Sequence, residues 1–152
     1  MDDPLVARAR AIARRAHDGQ TDKAGRPYAT HPERVAARLD DPGDQVVALL
    51  HDVLEDRAGW DAARLVAAGI PGHLVTDVVA LTHHPYEPRT RYVDRIRAAG
   101  PRAVRVKRAD IADNSDPARL AALDETTQDR LRRKYARDLA RLDAPATEPG
   151  SA

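Results

Sequence analysis

The segment VVALLHDVLED, residues 46–56, sets His51, Asp52, Glu55 and Asp56 into a run that is otherwise valine, leucine and alanine. Burying ionisable groups among such residues is costly unless something compensates them. Read as one helix, residues three or four apart share a face, so all four side chains crowd one pole. Three carboxylates and an imidazole at one pole repel each other unless a cation lies among them, and a divalent metal is the economical cation. The competing reading is the solvated acidic end of an amphipathic helix. Acids at a helix C-terminus oppose the macrodipole, which counts against it.

Two further segments carry residues of the same kind. In RPYATHPERVAARL, His31 stands at a loop-to-helix junction and is followed by proline, which fixes the backbone and lets the imidazole face inward. Alone, it would read as a cap or a core histidine. In VRVKRADIADNSDP, Asp110 and Asn114 are one helical turn apart, with Lys107 on the same side. Alone, these would read as surface residues of a charged helix, and Lys107 as a member of a surface ion pair. His83-His84, before Pro85, reads as an exposed pair with no acidic partner, incidental to any site. His17 falls at the end of the first helix, where it meets the C-terminal dipole.

The elements that must position these residues are all helices; no alternating strand pattern is present. Asp3-Pro4 opens a helix to about His17, and GQTDKAGRPY, residues 19–28, is a loop. Helices follow over about Pro32–Leu39, Asp44–Asp56, Asp61–Ala68, Pro71–Thr82, Arg89–Ala98 and Pro101–Asn114. A short one starts at Asp116-Pro117, and Glu125–Leu142 is the last. In RLRRKYARDLARLD, Leu131, Tyr135, Leu139 and Leu142 follow helical spacing, and acids interleave with the basic residues. That is one packed and one solvated face rather than a nucleic-acid contact. Residues 144–152, APATEPGSA, read as a disordered tail after a single domain over 1–143.

Composition narrows the choices. A chain of 152 residues fits one compact domain with its own core. It has no cysteine, so disulfides, thiolate metal sites and cysteine nucleophiles are excluded, and any metal sits on His, Asp, Glu, Asn or water. Phe is absent, so Val, Leu and Ala must fill the core. With 25 Lys+Arg against 24 Asp+Glu the chain is near neutral, which argues against a nucleic-acid binder. No apolar run reaches membrane-spanning length, and the N-terminus is not a secretory signal, so a cytoplasmic location without membrane partners is expected.

The stretches AHDGQTDKAGRPYATHPERVA, VVALLHDVLED and VKRADIADN, in this order over residues 16–114, resemble the HD phosphohydrolase superfamily. Within it the chain is most similar to the hydrolase domain of RelA/SpoT enzymes and to small alarmone hydrolases. The resemblance implies an all-α, single compact HD-domain helical bundle. It implies metal ligation by His31, His51, Asp52 and Asp110, with Asp113 a competing distal ligand. Such mixed nitrogen and oxygen ligation suits a borderline divalent ion, by family habit manganese. Glu55 and Asp56 fall on the family's ED pair, which handles the attacking water and its proton. Lys23, Asn114, Lys107 and Tyr135 fall where substrate would be bound, though packing is an equal role for Tyr135. The implied activity is release of pyrophosphate from the 3′ position of guanosine tetra- or pentaphosphate, with a small-molecule nucleotide as partner and a homo-oligomer as a possible assembly.

The chain departs from the pattern at two places. Asp22 stands where the alarmone hydrolases commonly carry an arginine that stacks on guanine, and an acid neither stacks in that way nor attracts phosphate. Asp113-Asn114 stands where the distal motif often reads His-Asn. Two alternatives therefore stay open: a related HD hydrolase acting on another nucleotide, such as an NADPH phosphatase, and a nucleotide-binding HD module without turnover.

Overall fold

A computed structural model describes residues 3–22, 25–28, 30–56 and 59–145, apart from the side chain of Asp56. Among the described residues ten helices follow one another: α1 (Pro4–Ala16), α2 (Thr30–Ala37), α3 (Pro42–Leu50), α4 (Val53–Asp56), α5 (Ala62–Ala67), α6 (Gly72–Ala80), α7 (Arg89–Ala99), α8 (Pro101–Asn114), α9 (Pro117–Leu120) and α10 (Glu125–Asp143). Among the described residues there is no strand, only an isolated bridge between Thr21 and Pro27 that pins the loop after α1. The tail beyond residue 145 lies outside the described residues.

The helix starts follow from capping chemistry. Asp3 accepts from the Leu5 and Val6 amides, and Asp41 accepts from the Asp44 amide; a proline follows each at the first helical position. Asp41 with Pro42 therefore starts α3 two residues before the expected Asp44. Gly100 separates α7 from α8 at φ 119°, a left-handed conformation that favours glycine.

α3 is the axle of the bundle. It packs on α1, α2, α6 and α8, and Val46, Val47, Ala48, Leu49 and Leu50 are fully buried. A helix that is apolar all round must sit inside. Ala9, Ala48 and Ala103 let backbones approach closely in this phenylalanine-free core. The opposite end of α3 is anchored by charge: buried Asp44 accepts from Arg102 Nε at 3.0 Å, Arg105 Nε at 2.7 Å and Arg105 Nη2 at 2.9 Å.

One expectation is corrected here. Residues 44–56 are not a continuous helix, because α3 ends at Leu50, His51-Asp52 form a turn, and α4 restarts at Val53. The physical reason is local. His51 Nδ1 donates to the Ala48 carbonyl at 2.6 Å, and the backbone tightens into contacts three residues apart, His51 N–H to Ala48 O at 3.5 Å and Glu55 N–H to Asp52 O at 3.3 Å. The His-Asp pair is thus carried on a tight turn at the end of the most buried helix.

Candidate metal centre

Three elements deliver the polar cluster. The start of α2 supplies His31, the turn after α3 supplies His51 and Asp52, and the middle of α8 supplies Asp110. His31, His51 and Asp52 each offer one ligand atom, all within 4.8 Å of one another, in a group that could hold a metal ion. Asp110 Oδ1 lies 2.9 Å from His31 Nε2 and 3.3 Å from His51 Nε2. Asp52 Oδ2 lies 3.3 Å from the same His51 nitrogen. The four ligands expected from the sequence are therefore brought together.

The outer contacts of the two imidazoles determine what faces inward. A carbonyl can only accept, so His51 Nδ1 carries the proton and its Nε2 presents a lone pair. That Nε2 is buried and has no hydrogen-bond partner among the described residues. His31 Nδ1 lies 2.6 Å from Asp113 Oδ2, a carboxylate that fixes the same tautomer. Two imidazole lone pairs then face two carboxylates, and among the described residues no donor is aimed at either lone pair, which requires a proton or a cation. The donor set fits a divalent ion of borderline character.

Electrostatics express the same demand. Burial disfavours the charged form of both histidines. The surrounding carboxylates outweigh it, Asp52 and Asp110 holding His51 well above the usual histidine range. His31 is raised by Asp110 and Asp113 in the same way. Burial also opposes ionisation of Asp52 and Asp110, yet His51 beside the first, and Lys107 and His51 beside the second, hold both below the usual carboxylate range. Desolvation of its carboxyl in the cleft, then the Asp52 charge, push Glu55 up to about 7, although it accepts the His83 backbone N–H at 3.0 Å.

Several expectations are changed by these contacts. Asp113 is the carboxylate behind His31, held also by Arg34 Nε at 3.0 Å and Arg119 Nη1 at 2.7 Å, and it does not compete with Asp110 for the inner position. Lys107 is no surface residue: it is buried, and Nζ donates to Asp110 Oδ2 at 2.9 Å. Burial favours the neutral amine, but the Asp110 charge outweighs it and keeps Lys107 protonated. Its Nζ also lies 5.2 Å from the Tyr92 ring. His83 is not incidental, since its backbone bonds Glu55, its Nε2 lies 2.8 Å from the Glu87 carbonyl, and its ring packs on Tyr92. Asn114 Nδ2 donates to Asp110 Oδ1 at 3.0 Å. Lys23 and the Asp56 side chain lie outside the described residues.

Two residues went unnoticed in the sequence. Tyr28 donates its hydroxyl to Asp52 Oδ2, and its ring lies 5.7 Å from that of His31. Burial, then Asp52, raise the phenol, so it remains a donor. Arg119, on α9, touches Asp113, Asn114 and Asp22. Tyr28 stands in the same RPYATH motif as His31; Arg119 had no sequence signal.

A cleft of about 290 Å³ opens over Asp52, Glu55, His83, Lys107 and Asp110. A second cavity of about 260 Å³ adjoins it, and Tyr28, Asn114 and Tyr135 line both. Tyr135 thus forms the partition between them as well as packing on the core.

No family model matches the chain. It is 51% identical over 49 residues to the bifunctional (p)ppGpp synthase/hydrolase SpoT of Escherichia coli K12, covering 30% of this chain and 7% of that protein. It is 38% identical over 81 residues to a GTP pyrophosphokinase of Streptomyces antibioticus, covering 50% of this chain and 10% of that one. The chain thus spans about a tenth or less of the length of these curated relatives. A solved metazoan ortholog of SpoT, described as hydrolysing ppGpp and playing a role in starvation responses, superposes with a TM-score of 0.78 at 21% identity, over 94% of this chain and 88% of that one. The all-α helical bundle expected from the sequence is the fold shared with that structure.

Proposed function

We propose that this chain is a metal-dependent phosphohydrolase that releases pyrophosphate from the 3′ position of guanosine tetra- or pentaphosphate, with residues 1–143 as the hydrolase domain. The observation that carries the reading is the convergence of two imidazole Nε2 lone pairs on Asp52 and Asp110 beside an open cleft. The similarity to proteins described as hydrolysing (p)ppGpp supports the substrate.

In this reading His31, His51, Asp52 and Asp110 hold the ion, and manganese is the metal by the resemblance. When bound, it supplies Lewis-acid charge for a phosphoryl oxygen and makes water a nucleophile near neutral pH. The chain's own groups do the rest. Glu55 is the carboxylate placed to take the proton of the attacking water, and its elevated proton affinity suits that task. Asp56 shares that role by its position in the ED pair. Tyr28 fixes the carboxylate of Asp52, and Asn114 and Lys107 fix that of Asp110, so neither must reorganise during reaction. Tyr135 and Asn114 form the side of the cleft where the nucleotide lies, with Lys107 supplying positive charge beneath it, and Lys23 binds substrate by the resemblance alone.

The test is pyrophosphate release from guanosine tetraphosphate with Mn²⁺, comparing wild type with Asp52→Ala. Release that disappears in the variant supports the reading. A metal-loaded wild type that releases nothing rejects this substrate, and NADPH is the next candidate.

A further inference from the structure

The acid at position 22 deprives the loop of the guanidinium expected there, but a guanidinium reaches the same place from the other end of the sequence. Arg119 Nη2 lies 3.3 Å from Asp22 Oδ2, across 97 residues of chain. Its Nη1 is held more tightly, by Asp113 Oδ2 at 2.7 Å and Asn114 Oδ1 at 3.2 Å. Asp22 in turn accepts the Arg26 backbone N–H at 2.9 Å, so the acid is a fixed part of the loop. The Arg119 side chain retains 16% exposure, and it opens into the 260 Å³ cavity.

That cavity has the character of a site for a flat, polar-edged ring. Tyr28, Tyr135, Leu123 and Leu131 supply apolar walls, while Arg119 and Asn114 supply polar groups. It is about the size of its neighbour over the metal ligands, which leaves the phosphates to the neighbour and one base to this cavity. Arg119 can only donate. Its tightest bonds go to the Asp113 side, and the hand toward Asp22 is held only at the long distance of 3.3 Å. A guanidinium carries five N–H groups, so a base that presents two adjacent acceptors can receive those that Asp22 and Asp113 do not hold, whereas a base that presents an amino group there meets donor with donor. Guanine presents O6 and N7 as adjacent acceptors; adenine places its N6 amino group beside N7.

We propose that Arg119 is the base-specificity residue of this chain, selecting guanine over adenine by donating to O6 and N7, with Asp22 and Asp113 holding its guanidinium in place. The inference rests on the reading of the neighbouring cleft as a nucleotide phosphohydrolase site. It explains how the chain accommodates an acid at position 22: the charge is neutralised by a residue that does the recognition itself.

The probes are GDP and ADP, titrated calorimetrically into the full chain at one saturating Mn²⁺ concentration. Neither carries a 3′ phosphate, so turnover at that position plays no part. Wild type is expected to prefer GDP roughly tenfold or more, the size of one bidentate arginine–guanine contact. Arg119→Ala should bring the ratio to within about twofold. Arg119→Lys, which keeps the charge but loses the fork, should also lose most of it. The lysine variant decides the matter if the alanine variant fails to fold. The ratio is the readout because a change in the metal site through Asp113 moves both affinities together. A wild type that does not distinguish the two, or a preference that survives both substitutions, overturns the proposal. A preference lost in the variants, in a wild type that hydrolyses no guanosine tetraphosphate, leaves this inference standing and removes the proposed activity.

Discussion

Replacing Asp113 tests the site without touching a proposed ligand. Asp113 is almost fully buried, lies 2.6 Å from His31 Nδ1, and accepts from Arg34 and Arg119. Asp113→Asn keeps the shape and an acceptor for the imidazole proton but removes the charge that raises the basicity of Nε2. Asp113→Ala removes the acceptor as well, freeing the ring and its tautomer. Partners behind a ligating histidine are worth roughly 10- to 100-fold in metal affinity. We expect about tenfold weaker Mn²⁺ binding for the asparagine variant and about a hundredfold for alanine, measured by electron paramagnetic resonance titration. Stability has its own sign. The His31 and Arg34 contacts, working against burial, hold the Asp113 carboxyl at about 2 in the metal-free fold, below its ordinary 3.8. A depressed carboxylate contributes stability above its unfolded pKa and loses it as pH falls through the folded one. The difference amounts to about 2 kcal/mol, present above pH 4 and gone near pH 2. Urea titrations of wild type and Asp113→Asn should therefore converge on acidification. Metal affinity of Asp113→Ala within twofold of wild type would refute the account of His31.

Three other substitutions separate site from scaffold. Tyr28→Phe removes the donor to Asp52 and should weaken metal binding roughly tenfold, as for a charge-assisted hydrogen bond of about 1.5 kcal/mol; unchanged affinity would make the ring alone important. Asp44→Ala removes the buried carboxylate that ties Arg102 and Arg105 to the far end of α3, leaving Arg102 with Asp41 at 3.3 Å, and urea denaturation should show a loss of about 2 kcal/mol while metal affinity stays at the wild-type value. Glu87 accepts from Arg95 at 2.8 and 2.9 Å, and that bond holds its carboxyl at about 2. Its contribution is present above the ordinary glutamate range near pH 4.5 and fades as pH falls toward 2, so Glu87→Gln should lower the melting temperature at pH 7 and make no difference at pH 2.

What the sequence disclosed, and what it hid, follows from chain distance. The His51-Asp52 pair stood out because ionisable residues interrupt a buried run, and the order of three motifs pointed to His31 and Asp110. The break after Leu50 was hidden, because it depends on an imidazole reaching back to the Ala48 carbonyl, which composition does not encode. Lys107 read as a surface partner because helical spacing places it beside Asp110 without saying that α7 and its Tyr92 cover both. Arg119 meets Asp22 across 97 residues, beyond any local pattern. His83 looked like half of an exposed pair, yet its role comes from its backbone amide, a group every residue but proline carries.

The burial of α3 on every side also sets how the protein breathes. Amides enclosed in this way exchange with solvent only when the whole domain opens, whereas frayed ends and loops exchange through small local excursions. His51 and Asp52 hang directly from the end of that slow-exchanging segment. Two corners of the cage are thus bolted to the last part of the molecule to let go, and they stay in register until the domain itself opens. Deuterium uptake would then show the amides of residues 46–50 protected until global unfolding.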